Sequence, residues 1–99
     1  MELTRTDQGD QTIITLAGVL KEPTAPSLRQ MVSELEVAHR KNVTLDMSSV
    51  TEVDSSGVSV IVMLYKQLKS MGGTLTIAGL QAQPRAIFNL LRLDKVFSY

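Results

Sequence analysis

The order of apolar and polar positions divides the chain into short alternating runs and longer helical stripes. Glu2 to Thr6 and Gln11 to Leu16 are threonine-rich and β-branched, which suits strands. Asp7-Gln8-Gly9-Asp10 between them is a gap of hairpin size. An antiparallel hairpin is predicted, with Gly18 punctuating the chain after it. Leu28, Met31, Val32 and Leu35 then fall at i, i+3, i+4 and i+7, the stripe of an amphipathic helix. Thr24 is the expected N-cap, and Pro26 is tolerated in the first turn. Ser27 with Gln30 is a competing capping box that would move the start by a few residues. His39-Arg40-Lys41 is expected to close this helix, with positive charge at the negative end of its dipole.

Val43, Leu45 and Met47 alternate with Thr44 and Asp46, which predicts a half-buried strand. Ser48 to Ser56 reads as a polar connection. A second helix is predicted from about Gly57 to Met71, with Val58, Ile61, Val62, Tyr65 and Leu68 on one face and Val60 and Leu64 widening it. Gly72-Gly73 is its stop signal. Leu75 and Ile77 alternate with Thr74, Thr76 and Ala78 in a further strand that Gly79 ends. Pro84 fits the first turn of a last helix, whose inner side is expected to carry Ile87, Leu90, Leu91 and Phe88. Leu93, Val96 and Phe97 are expected to fold back onto the core.

The predicted order is β-β-α-β-α-β-α, so the later strands need right-handed crossovers and pair in parallel. The last two strands alternate rather than running continuously apolar, which places the helices mainly on one face. The fold class is therefore α/β, with a mixed, mostly parallel sheet of about four strands. The 99 residues make one domain, 1–99, with 43% hydrophobic and 20% charged residues, an ordinary globular balance.

Ten basic residues balance ten acidic ones, so nothing in the charge favours nucleic acid or an anionic lipid surface as a partner. The chain has no cysteine and one histidine, which removes disulfides, thiolate chemistry and the usual zinc sites. No apolar stretch approaches the roughly 20 residues that a membrane span needs, and the N-terminal residues lack a signal-peptide core. A cytoplasmic protein is expected, with no membrane partner. The five methionines fall mostly at apolar positions, where core filling is the default.

The chemistry concentrates at Val53-Asp54-Ser55-Ser56-Gly57-Val58, two hydroxyls and a carboxylate where a helix begins. Asp and Ser are preferred helix caps, which accounts for the segment without any further role. The alternative is a modifiable serine: a phosphate on Ser56 would sit at the positive end of the helix dipole. It would bring about two negative charges without unfolding the helix. A serine nucleophile lacks support, because Ser56 has no G-x-S-x-G elbow and His39 belongs to a charged helix end. Asp46, Glu52 and Asp54 could hold a divalent cation if the fold converged them, which their spacing does not establish. Gly72-Gly73 matches neither nucleotide-binding glycine pattern. No enzyme, cofactor or metal site is expected.

At Asp54-Ser55-Ser56-Gly57 the chain resembles the STAS domains, specifically the stand-alone bacterial anti-sigma factor antagonists. Ile13-Ile14-Thr15-Leu16-Ala17-Gly18 resembles the family's second strand and its glycine, and Thr24-Ala25 the start of the next helix. Val43-Thr44-Leu45-Asp46-Met47-Ser48 resembles the strand ahead of the motif. Gly72-Gly73-Thr74-Leu75 resembles the turn into the next strand, and Leu93 to Phe97 the terminal segment. The resemblance implies a βα superhelix with helices on one side of the sheet.

The function it implies is partner switching. The unphosphorylated antagonist binds an anti-sigma factor, often itself a serine-protein kinase, and frees a sigma factor. Phosphorylation of the motif serine ends that binding, and a metal-dependent serine phosphatase restores it. By position the modified residue is Ser56, and Asp54, Ser55 and Gly57 shape the contact surface. Lys21 departs from the acidic residue that many members carry there. It is expected near the motif, able to weaken kinase recognition or to pair with a phosphoserine. Ser59 stands where a small glycine is common. The exposed helix start suggests a monomer when free. A second possibility within the family is a non-switching STAS subunit that supports the ATPase of an ABC lipid-transport system or another signalling complex.

Overall fold

A computed structural model describes residues 1–99. Its elements run β1 (Glu2–Gln8), β2 (Gln11–Leu20), α1 (Ala25–Val37), β3 (Asn42–Val53), α2 (Ser55–Ser70), β4 (Thr74–Ala78) and α3 (Ala82–Leu90), followed by a short 3-10 turn at Leu93–Lys95. The strands lie side by side in chain order, with β1 antiparallel to β2 and the remaining pairs parallel. The two βαβ crossovers step the same way across the sheet. Right-handed connections of that kind place α1 and α2 on one face, where they touch.

Alternation, predicted for β3 and β4 and found in β2 as well, decides which side is core. Ile14 and Leu16 of β2, Val43, Leu45 and Met47 of β3, and Ile77 of β4 are buried under the helices. Thr15, Thr44 and Asp46 on the opposite side are only half-buried. From above, Leu28, Val32 and Leu35 of α1 and Val60, Ile61, Leu64 and Leu68 of α2 fill the same core. The Gln67 side-chain amide donates to the Val32 carbonyl at 2.8 Å and ties the two helices together.

Several expectations change here. Residues 48–53 are strand rather than polar connection, because Val50 and Val53 bring the chain back into the core and β2 stays paired to the end, Leu20 opposite Val53. The change of burial period along β3 coincides with register irregularities between Thr15 and Ala17 and between Gly18 and Val19. Accordingly β2 continues through Gly18 to Leu20, and α2 begins at Ser55 rather than Gly57.

His39-Arg40-Lys41 lies beyond α1 and does not serve its dipole. His39 takes a left-handed φ of 55°, which turns Arg40 toward the hairpin. There the Arg40 guanidinium donates to Thr12 Oγ1 at 2.8 Å and to the Gly9 and Gln11 carbonyls at 2.9 and 2.8 Å. Thr24 does occupy the N-cap position of α1, but its hydroxyl donates to the Val19 carbonyl at 2.8 Å and caps no helix amide. Ser27 lies inside the helix.

Gly72, at φ 76°, stops α2 as predicted, and a Cβ on Gly73 would collide with the Lys41 carbonyl. On α3 the inward residues are Pro84 and Phe88, with Ile87 half-buried; Leu90 and Leu91 are exposed, contrary to expectation. The helix ends at Leu90 with Leu91 as its C-cap, so both lie at its exposed C-terminal end. Phe97 does fold back, packing edge-on against Tyr65 and tilted against Phe88, whereas Val96 stays exposed. No helix is long and apolar enough to cross a membrane.

Candidate functional site

The segment singled out in the sequence forms the turn from β3 into α2, and Asp54 organises it. Its extended backbone places it as the N-cap of α2, where Oδ1 accepts the Gly57 N–H at 3.0 Å. Oδ2 reaches across to accept the Glu22 N–H at 2.9 Å, and the Asp54 N–H donates to the Leu20 carbonyl at 3.2 Å. One residue thus joins the helix start to the loop that leaves β2. The amides donating to this carboxylate, that of Gly57 first and those of Glu22 and Ser56 after it, hold its pKa below the usual aspartate value, with nearby Lys21 adding to the effect.

Gly57 is required by close approach. A Cβ there would run into the Leu20 carbonyl and lie 2.7 Å from Leu20 Cγ. The two serines differ in exposure: Ser55, the first residue of α2, is exposed, and Ser56 is half-buried. At this positive end of the helix dipole, the first-turn amide of Gly57 is already taken by Asp54.

Lys21 lies beside the motif. Its ammonium forms an ion pair with Glu52, which stands two residues before Asp54 on β3. The hydrogen-bonded Glu52 carboxylate raises its pKa above the usual lysine value, and Asp54 contributes. Thr24 fixes the loop beneath it by accepting the Lys21 N–H at 3.0 Å. Asp46, Glu52 and Asp54 are separately engaged rather than convergent: Asp46 accepts from the Ser48 N–H and hydroxyl at 3.0 and 2.8 Å, Glu52 pairs with Lys21, and Asp54 caps α2.

Two features escape the sequence. Val58, Ser59, Val62, Met63 and Lys66 line a shallow groove of about 430 Å³ on the outward side of α2. By helical periodicity Ser55 shares that side. Val62 was expected inside, yet it is half-buried, and Met63 is exposed. The signal available was the run Val60 to Tyr65, six consecutive residues that are too many for one buried arc of a helix. The second feature is Gln83 of α3, whose side chain bonds the main chain of Val53 just before the motif. Nothing in the spacing announces that contact.

A four-stranded sheet with α1 and α2 on one face and a capped serine turn leading into α2 defines a class of small α/β domain. The family model described as Mlab, STAS domain matches residues 3–98, and the chain belongs to the STAS family. A Listeria monocytogenes protein named anti-sigma-B factor antagonist is 25% identical over 87 residues, covering 88% of this chain and 76% of that one. Among solved structures, an anti-sigma factor antagonist from Mycobacterium paratuberculosis matches with a TM-score of 0.86 at 22% identity, over 97% of this chain and 81% of that one. The phosphorylated form of the Bacillus cell fate determinant SpoIIAA matches with a TM-score of 0.80 at 16% identity, over 98% and 89%. These structural likenesses concern the fold.

Proposed function

We propose that this protein is an anti-sigma factor antagonist, a binding module rather than a catalyst. Its docking surface comprises Asp54, Ser55, Ser56 and Gly57, the neighbouring Lys21, and the outward groove of α2. The observation that carries the reading is the Asp54 clamp, which holds both the helix start and the loop after β2. On a turn fixed in this way, a change at a serine hydroxyl alters the surface without refolding the domain. The name of the Listeria relative supports the same assignment.

In this reading the unmodified protein, a cytoplasmic monomer, docks on an anti-sigma factor that is also a serine kinase, and a sigma factor is released. Phosphorylation of Ser56 ends docking. The Ser56 oxygen bonds to the γ-phosphorus of ATP held by the partner, ADP leaves, and the hydroxyl proton passes to a base in the partner. A metal-dependent serine phosphatase returns the hydroxyl by hydrolysis. A phosphate buried at such an interface is costly through desolvation and repels carboxylates across it. A penalty of about 3 kcal/mol corresponds to roughly 150-fold weaker binding.

The test is titration calorimetry of unmodified protein and Ser56→Asp against the purified anti-sigma factor, with far-UV circular dichroism as the fold control. Binding lost in Ser56→Asp with unchanged dichroism is the expected result. Equal affinity for the two forms overturns the switch.

The half-burial of Ser56 beside an exposed Ser55 favours a second reading. Here Ser56 stays unmodified, and the domain is a constant subunit supporting the ATPase of an ABC lipid-transport system. Co-purification with such an ATPase, and with neither kinase nor phosphatase, would select it.

A further inference from the structure

The charges around the start of α2 are unequal. The loop after β2 carries Lys21 and Glu22, the end of β3 carries Glu52, and Asp54 caps the helix. From α3 the side chain that meets Val53 is the neutral amide of Gln83, and α2 itself has no charged residue before Lys66. Lys21 is thus the one cation among three carboxylates. Asp54 is committed through both oxygens to the Gly57 and Glu22 amides, so a phosphate on Ser56 would find the Gly57 amide taken.

Lys21 is built to change partner. Its main chain is fixed: the N–H donates to Thr24 Oγ1, and the carbonyl accepts from the Thr24 and Ala25 amides at 2.9 and 2.7 Å. Its side chain is 41% exposed and that of Glu52 48%, so the ion pair is a surface contact that water and salt weaken. The contact of Gly57 with Leu20 brings the chain positions together, because Lys21 follows Leu20 and Ser56 precedes Gly57. A phosphate dianion offers a lysine more charge and more acceptors than a single carboxylate does.

We propose that Lys21 is an exchangeable counter-ion, paired with Glu52 in the unmodified protein and transferred to the phosphate when Ser56 is phosphorylated. The transfer leaves the Glu52 carboxylate unpaired, so the modification adds negative character at two points of the docking face. This rests on the reading of Ser56 given above.

The test does not depend on finding the kinase. Phosphoserine is installed at position 56 during translation, and the second ionisation of the phosphate, ordinarily near pH 6, is followed by phosphorus NMR. Lys21→Gln, checked by far-UV circular dichroism, should raise that ionisation by about half a pH unit or more, and Lys21→Arg should restore it. Glu52→Gln, which removes the competing carboxylate, should lower it. A titration unchanged by Lys21→Gln overturns the counter-ion. The partner-switching reading fails separately, if the phosphoserine protein binds the anti-sigma factor as tightly as the unmodified one.

Discussion

Gln83 meets Val53 through both ends of its side-chain amide: Oε1 accepts the Val53 N–H at 2.9 Å, and Nε2 donates to the Val53 carbonyl at 3.1 Å. A side chain thereby does what a neighbouring strand would do. β4 pairs with β3 only as far as Asp46, and α3 covers the unpaired end. Val53 is the last residue of β3, so this contact fixes the strand that delivers Asp54 to the helix start.

Gln83→Ala leaves two main-chain groups of a buried residue without their partner. The expected loss is about 1–2 kcal/mol in urea unfolding. Hydrogen exchange at the Val53 amide should quicken more than at Leu45 in the middle of the same strand. Equal protection in wild type and variant would show that the contact holds nothing.

Gly57→Ala puts a methyl group against the Leu20 carbonyl. The main chain cannot retreat without breaking the Asp54 clamp, so about 1–3 kcal/mol of stability should be lost. Thermal unfolding checks this. An alanine tolerated without loss would mean that the helix start and the loop are not tightly apposed.

The depressed Asp54 pKa makes part of the stability depend on pH. Its folded value lies below the ordinary 3.8, so the unfolded chain takes up the proton first as pH falls. The contribution is fully present above that ordinary value and disappears as pH drops through the folded one. Urea midpoints for wild type and Asp54→Asn should differ at pH 6 and converge in acid. A constant difference from pH 6 to pH 2 would place the acid sensitivity elsewhere.

Met63→Asp places a charge on the outward groove without touching the core, since Met63 is 37% exposed. Stability should change by less than about 0.5 kcal/mol. Affinity for the anti-sigma factor should fall at least tenfold, which is about 1.4 kcal/mol. Calorimetry beside urea unfolding separates the two effects, and unchanged affinity would remove the groove from the docking surface.

The sequence by itself determined the order of the elements, the alternating faces of β3 and β4, the core stripe of α1 and the residues of the turn into α2. Strand alternation, helical spacing and the Asp-Ser-Ser-Gly turn are local properties, and each is written in a few neighbouring residues. What the tertiary structure decided depends on partners far along the chain. Residues 48–53 read as polar until β2 pairs with them across the irregular register. Arg40 is a helix-end charge until the turn at His39 sends it to the hairpin carbonyls. Met63 of α2 and Leu90 and Leu91 near the end of α3 are apolar like the core, yet they lie outside it, because the sheet and its neighbours can cover only one side of each helix, and Val62 sits half-buried at the margin. Asp54 to Gly57 and Lys21 were visible in the sequence, whereas the groove of α2 and the Gln83 contact were not. Nor was the binding of Asp54 to Glu22 and Leu20, because a hydrogen bond across 32 residues leaves no mark on local spacing.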